Sequence, residues 1–401
     1  MSIRDSLRLN IGLVICVKPS NKEFTVLSFF IDRLSLIHIS LRLHNFRNYA
    51  DVNVSFTDGI HILTGKNAQG KTNLLESILY LSTTRSHRTS EDKDLIKEGE
   101  QAFFIKALIA KEQKTEEIRV TVNEKGKNLF IYQNPVNRVS DFIGEFNSVM
   151  FCPDDMNLFQ ASPRVRRRFV DMELSKISKK YVSTLYVATR LLKERNAYLK
   201  QERVDRSYLE VLTSQLVDAS VVIMKQRHFF LEELLDKCRT FYRQLSNDDT
   251  DITVRYLSCV PFSDSEEALK EALLKKYQKH QDRDLLLKQT TAGIHKEDFI
   301  FEMNGHELVS FASQGQKRSV LLALKIGMIH MIHEIIQEYP VLLLDDVFSE
   351  LDSYRKQELL KSLPKEVQIF ISTTDFVEMD DMKSDRRVTL WNVSNGTIER
   401  C

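Results

Sequence analysis

Gly65-Lys66-Asn67-Ala68-Gln69-Gly70-Lys71-Thr72 has the spacing G-x-x-x-x-G-K-[ST], in which glycine lets the backbone curl so that successive N–H groups point at phosphate oxygens. Every residue of this run is a candidate for holding a nucleoside triphosphate. Lys71 is expected to reach the β and γ phosphates, and Thr72 to ligate magnesium. A second run, Val341-Leu342-Leu343-Leu344-Asp345-Asp346, is apolar and ends in two carboxylates. Asp345 is expected to hold the magnesium shell, and Asp346 to orient or deprotonate an attacking water, so Lys71 and Asp346 are the catalytic candidates. A third, Ser313-Gln314-Gly315-Gln316, offers a hydroxyl and a glycine backbone at the start of a helix. It suits either a second anion site or a simple N-cap.

These residues need particular elements around them. Ile60 to Leu63 predicts a strand before the glycine-rich loop, and Leu74, Leu75, Ile78 and Leu79 predict a helical face after it. Val341 to Leu344, entered by Pro340, predicts a strand covered on both faces, and Val367 to Ile371 predicts another. Alternation at Ile37, Ile39, Leu41 and Leu43 predicts an early strand. After Gln316, Leu321, Leu324, Met328, Ile332 and Ile335 mark one face of a helix.

The middle of the chain has few breakers. No glycine lies between Gly144 and Gly293, and no proline between Pro163 and Pro261, which predicts mostly helix. Leu209, Leu212, Leu216, Ala219, Ile223 and Phe230 alternate steps of three and four, with Gln226 in the missing place. That spacing suits a coiled-coil seam or an ordinary helix burying one face in a lobe. A short strand at Ile252, Val254 and Tyr256 and a charged helix from Ser265 to Lys288 follow. The economical arrangement is one α/β head built from 36–150 and 291–401, with 151–290 inserted as a mostly helical arm. Residues 1–35 read as an N-terminal extension, and translation starting near Leu36 would remove them.

With 57 basic and 56 acidic side chains the net charge is +1, so any DNA contact must come from local patches. Arg164, Arg166, Arg167 and Arg168 form one such cluster. It suits phosphate binding or a solvated helix face paired with Asp171 and Glu173, and Arg85 and Arg88 carry the same two readings. The five cysteines, Cys16, Cys152, Cys238, Cys259 and Cys401, are scattered and never paired as C-x-x-C, which argues against a disulfide framework or zinc and for a reducing cytoplasm. No stretch is expected to span a membrane, and Lys18, Lys22, Asp32 and Arg33 interrupt the apolar N-terminus.

Ser313 to Gln316, lying shortly before the paired aspartates, resembles the signature motif of ABC-type ATPases. The resemblance implies that Ser313, Gly315 and Gln316 dock on the γ-phosphate held by a second copy. Ser349-Glu350-Leu351-Asp352 resembles the D-loop at the dimer seam, which adds Asp352 to the nucleotide-binding set. Thr374 stands where many ABC proteins have a switch histidine. The long separation of Thr72 from Asp345 argues against a transport subunit.

Longer runs narrow the resemblance. Leu43-His44-Asn45-Phe46-Arg47-Asn48-Tyr49, Arg85-Ser86-His87-Arg88-Thr89, Phe151-Cys152-Pro153-Asp154-Asp155, Pro163 to Arg168, Arg195-Asn196 and Ser313 to Arg318 resemble the RecF family of bacterial recombination-repair ATPases, from about Ile37 to the C-terminus. One departure is Gly293-Ile294-His295-Lys296-Glu297-Asp298, where the family usually has G-P-H-R-D-D. The resemblance implies an α/β fold, an ABC-type P-loop ATPase head with an inserted, mostly helical arm. It implies ATP and Mg2+ as ligands, a homodimer when ATP is bound, and DNA at single-strand/double-strand junctions as partner. Slow, DNA-stimulated hydrolysis would release the dimer, and RecR and RecO proteins would join it in loading the RecA recombinase. A short-arm chromosome-maintenance-like ATPase and an ATP-binding scaffold with little turnover are the alternatives.

Overall fold

The computed structural model describes residues 38–110, 115–246, 250–348, 351–374 and 386–401. The expected N-terminal extension and the start near Leu36 lie outside the described residues, as do Ser349, Glu350 and Asp375.

The first half of the head contains β1 (His38–Phe46), β2 (Tyr49–Phe56), β3 (Ile60–Thr64), α1 (Lys71–Thr83), β4 (Ala102–Ala110), β5 (Thr115–Asn123), β6 (Gly126–Ile131), β7 (Asn134–Val136), α2 (Val139–Phe142) and β8 (Ser148–Phe151). The helical middle comprises α3 (Pro163–Ile177), α4 (Lys179–Tyr198), α5 (Arg206–Ser246), β9 (Ile252–Leu257) and α6 (Glu266–Leu287). The chain then runs through β10 (Asp298–Met303), β11 (His306–Glu307), α7 (Leu308–Phe311), α8 (Gln314–Ile336), β12 (Val341–Asp345), α9 (Ser353–Ser362), β13 (Ile369–Ser372), β14 (Val388–Ser394) and β15 (Thr397–Arg400).

Two sheets build the head. One is antiparallel, in the order β2-β1-β4-β5-β6-β7; the other runs β15-β14-β3-β13-β12-β8 and is parallel except for β15. The apolar run at Val341 follows from that placement, because β12 lies between two parallel neighbours and is covered on both faces. Its side chains alternate: Leu342 and Leu344 join the core under the helices, whereas Val341 and Leu343 join the core shared with the antiparallel sheet and α1. A third sheet, β11-β10-β9, pairs a strand of the glycine-free middle with strands beyond residue 290.

Two helices bury wider arcs than their apolar spacing marks, and on α5 this decides for the ordinary helix in a lobe over the coiled-coil seam. Leu209, Leu212, Leu216, Ala219, Ile223 and Phe230 are all buried on α5, but so are Val217, Val221, Met224 and Arg227. The buried arc is therefore wider than a coiled-coil seam, and α5 is the central helix of a lobe packed on α4, α6 and α8. Helix α8 was expected to bury one face. It is instead buried nearly all round, from Val320 to Ile332, while Ile335 at its end is exposed. The close approach of α5 explains this: a Cβ on Gly327 would sit 3.2 Å from the Lys237 Cβ and 3.4 Å from the Leu234 Cδ1. Gln314–Ile336 is also long and apolar enough to cross a membrane, which corrects the expectation that no stretch is. Most of that helix is buried inside this fold.

Candidate functional site

The glycine-rich loop leaves β3 and enters α1 at Lys71. At Gly65 φ is +142°, and a Cβ there would lie 2.2 Å from the Val393 carbonyl oxygen, so glycine is required twice over. Two hairpins clamp the loop from outside. Asn48 Nδ2 donates to Gln69 O at 2.8 Å, the Tyr49 hydroxyl donates to Gly70 O at 2.9 Å, and Gly396 N donates to Gln69 O at 3.1 Å. Gln69 Oε1 accepts from Asn395 N at 2.7 Å, so this side chain secures the β14–β15 turn.

Inside the clamp is a cavity of about 480 Å3. Asn67, Ala68, Gly70, Lys71 and Thr72 line one wall and Asp345 and Asp346 another; Asn73, His87, Arg88, Cys152, Pro153 and Asp154 complete it. Gly65, Lys66 and Gln69 shape the loop from behind. Lys71 Nζ donates to Gly65 O at 2.5 Å and Lys66 O at 3.1 Å. Burial lowers its pKa against the opposing pull of Asp346 and Asp345, so an incoming anion meets a poorly hydrated ammonium.

The two carboxylates sit at the end of β12, beside β13. Asp345 Oδ1 accepts from the Thr72 hydroxyl at 2.9 Å and from the Ser372 hydroxyl at 2.7 Å. Burial raises the Asp345 pKa while those two hydroxyls hold it down. Asp346 adopts φ +53°, in the left-handed region, and its N–H donates to Ser372 Oγ at 2.8 Å. A strained non-glycine residue held this way marks a position fixed by its surroundings. The donor set of one hydroxyl and one carboxylate suits Mg2+, a hard cation that keeps several waters and shares phosphate oxygens. No group of three or more His, Cys, Asp or Glu fit to hold a metal occurs among the described residues.

The structure does not bring the third motif to this cavity. Ser313 and Gln316 form a capping box on α8, with Ser313 N donating to Gln316 Oε1 at 2.9 Å and Gln316 N donating to Ser313 Oγ at 3.2 Å. Asp352 caps α9 by accepting from Arg355 N at 2.8 Å and pairs with the Arg355 guanidinium. Arg355 Nε also donates to Ser319 Oγ at 3.0 Å, and a Cβ on Gly315 would lie 3.9 Å from its Nη2. Ser313, Gly315, Gln316 and Asp352 thus share a surface around Arg355, and none of them lines the cavity.

The expected pairing of the α3 arginines with Asp171 and Glu173 needs correction, and three of the four are tied to other acceptors within the chain. Arg166 forms a two-pronged pair with Asp298 at 2.7 and 2.6 Å, Arg167 donates to Glu297 O, and Arg168 donates to Ser86 O at 3.0 Å. Of the acids expected beside them, Asp171 pairs with Arg227 at 2.8 Å and Glu173 with Lys176 at 2.7 Å. Only Arg164 of the cluster is exposed. Arg88 Nη1 donates to Asn73 Oδ1 at 3.1 Å at the cavity rim, and Arg85 is exposed. Arg195 is buried against Asp284 at 2.8 Å, and Asn196 accepts from Thr290 N, so both hold the lobe together.

Several cavity residues carried no assigned role in the sequence. Behind the cavity wall, Ser372 is legible in the sequence as the end of a strand, not as the hydroxyl that joins both aspartates. Cys152, Pro153 and Asp154 enter because β8 lies parallel to β12, and His87 because the loop after α1 folds back.

Comparison with known proteins agrees with this geometry. A family model described as the RecF/RecN/SMC N terminal domain matches residues 38–399. The parallel sheet, phosphate loop and paired aspartates thus define an ABC-type ATPase head of the RecF and SMC class. "DNA replication and repair protein RecF" of Streptococcus gordonii is 38% identical over 361 residues, covering 90% of this chain and 99% of its own. Its namesake in Bacillus pumilus is 36% identical over 365 residues, covering 90% and 98%. The solved structure of the recombination mediator protein RecF-ATP in the RecFOR pathway superposes with a TM-score of 0.86 at 30% identity, covering 93% of this chain and 99% of that one. The chain belongs to the RecF family.

Proposed function

We propose that this chain is an ATP-gated DNA-binding protein of recombinational repair and replication restart, whose head dimerises on DNA when ATP is bound and separates after hydrolysis. The observation that carries it is the convergence of Lys71, Thr72, Asp345 and Asp346 on one cavity while Ser313 and Gly315 lie outside it. A helix N-terminus presented away from its own phosphate loop is a ready anion site for a second copy.

In this reading the backbone N–H groups of the loop and the start of α1 bind the phosphates. Lys71 neutralises the β and γ oxygens, and Asp346 holds the attacking water and takes its proton. Thr72 and Asp345 hold Mg2+, which when bound supplies charge neutralisation on the same phosphates. Ser372 fixes both carboxylates relative to each other. The proposal extends to DNA at single-strand/double-strand junctions, to the RecO and RecR proteins and to RecA loading; membership of the RecF family and the RecFOR pathway named for a solved relative support it.

Phosphate release from the purified wild-type chain, with and without gapped duplex DNA, tests this. Slow hydrolysis that rises with DNA and vanishes in Lys71→Ala is the expected result. No hydrolysis above the Lys71→Ala background would leave only an ATP-binding scaffold.

A further inference from the structure

His87 stands between Ser86 and Arg88 on the loop after α1 and lines the same cavity as Thr72, Asp345 and Asp346. Its Nδ1 is buried without a hydrogen-bond partner, which leaves Nε2 as the ring nitrogen available to a ligand in the cavity. A buried N–H lacking an acceptor costs more than a bare lone pair, so the neutral ring carries its proton on Nε2. Burial keeps the ring neutral by lowering its pKa, against the pull of Glu76, Asp345 and Asp155.

The loop is held firmly around it. Ser86 Oγ accepts from Arg88 N at 2.9 Å and Thr89 N at 3.1 Å and donates to Glu76, and Ser86 O accepts from Arg168. Glu76 is itself gripped by Arg47 at 2.9 and 3.0 Å. None of these bonds uses the His87 ring, and an apolar side chain would fill its space without leaving a buried nitrogen bare.

We propose that His87 is a hydrogen-bond donor to the terminal phosphoryl group of the bound nucleoside triphosphate, through Nε2–H, as negative charge shifts there during hydrolysis. The phosphate loop, Lys71, His87, Asp345 and Asp346 all line this one cavity, so a terminal phosphate placed for Asp346 to hold a water behind it lies in the space that His87 also borders. A fixed donor aimed at developing charge acts mainly on rate and little on ground-state affinity. The proposal rests on the ATPase reading above.

The test compares the full-length wild type with His87→Ala and His87→Gln, whose amide can restore an N–H near the Nε2 position. Three readouts are taken: equilibrium affinity for a fluorescent ATP analogue with magnesium, melting temperature, and single-turnover hydrolysis with gapped DNA. His87→Ala is expected to slow hydrolysis by about tenfold to a hundredfold, with affinity within about threefold and an unchanged melting temperature, and His87→Gln to recover part of the rate. An active wild type matched within about twofold by His87→Ala overturns the proposal. So do parallel losses of rate, affinity and stability, which mark a structural role. An inactive wild type overturns the ATPase reading itself and is distinguishable from either.

Discussion

Asp346 and Asp345 are neighbours for which different tasks are proposed, and their backbone conformations differ. Asp345 ends the strand and accepts from the Thr72 and Ser372 hydroxyls, whereas Asp346 takes the left-handed turn that follows and meets the Ser372 hydroxyl at a longer 3.3 Å. Removing each charge therefore does different things. Lys71→Ala should lose nucleotide in an equilibrium binding assay, whereas Asp346→Asn should keep it and hydrolyse at least about a hundredfold more slowly. A second residue-scale expectation concerns His61, fully buried on β3, where Nε2 donates to Thr57 O at 2.7 Å and Nδ1 accepts from Trp391 Nε1 at 3.1 Å. Burial pushes its pKa down from 6.5 to about 4. Between those values the unfolded chain binds more protons than the folded one. Stability from this group is thus complete above pH 6.5 and falls as the pH drops towards 4, by up to about 3 kcal/mol. Urea melts at several pH values should show a flatter slope for His61→Gln than for the wild type; parallel slopes would contradict it.

At the scale of elements, α3 is a strut. Arg166 and Arg167 fasten it to the strand region that leads to the third motif, and Arg168 fastens it to the loop carrying His87. Breaking the Arg166–Asp298 pair strands a mostly buried carboxylate, so Arg166→Ala should cost about 3 kcal/mol in denaturant melts. Arg164→Ala, on the exposed side, should leave stability unchanged. Gly327→Val should destabilise by about 1–3 kcal/mol, because α5 already touches α8 there. The sequence made the phosphate loop, its flanking strand and helix, and the paired aspartates legible, because each is a local pattern whose chemistry dictates its spacing. It hid the strut, because the partner of Arg166 is 132 positions away and a run of arginines looks the same whether it faces water or a distant carboxylate. It also made α8 look one-faced. A helix between a sheet and another helix is covered on both sides, and small residues such as Gly327 leave no apolar signal at the second contact.

At the scale of the molecule, the proposed active arrangement needs two copies. The cavity presents the phosphate loop, Thr72, Asp345 and Asp346, while Ser313 at the α8 N-terminus does not line it. Bound triphosphate would join two heads by having its terminal charge neutralised from across the seam. Replacing Ser313 with arginine should block that contact sterically and leave nucleotide affinity in the isolated head nearly intact. The most direct measurement is light scattering coupled to size-exclusion chromatography on Asp346→Asn, with and without saturating ATP and magnesium. The account predicts a doubled mass with ATP, abolished by Ser313→Arg in the same background. An unchanged mass at saturating ATP would contradict it.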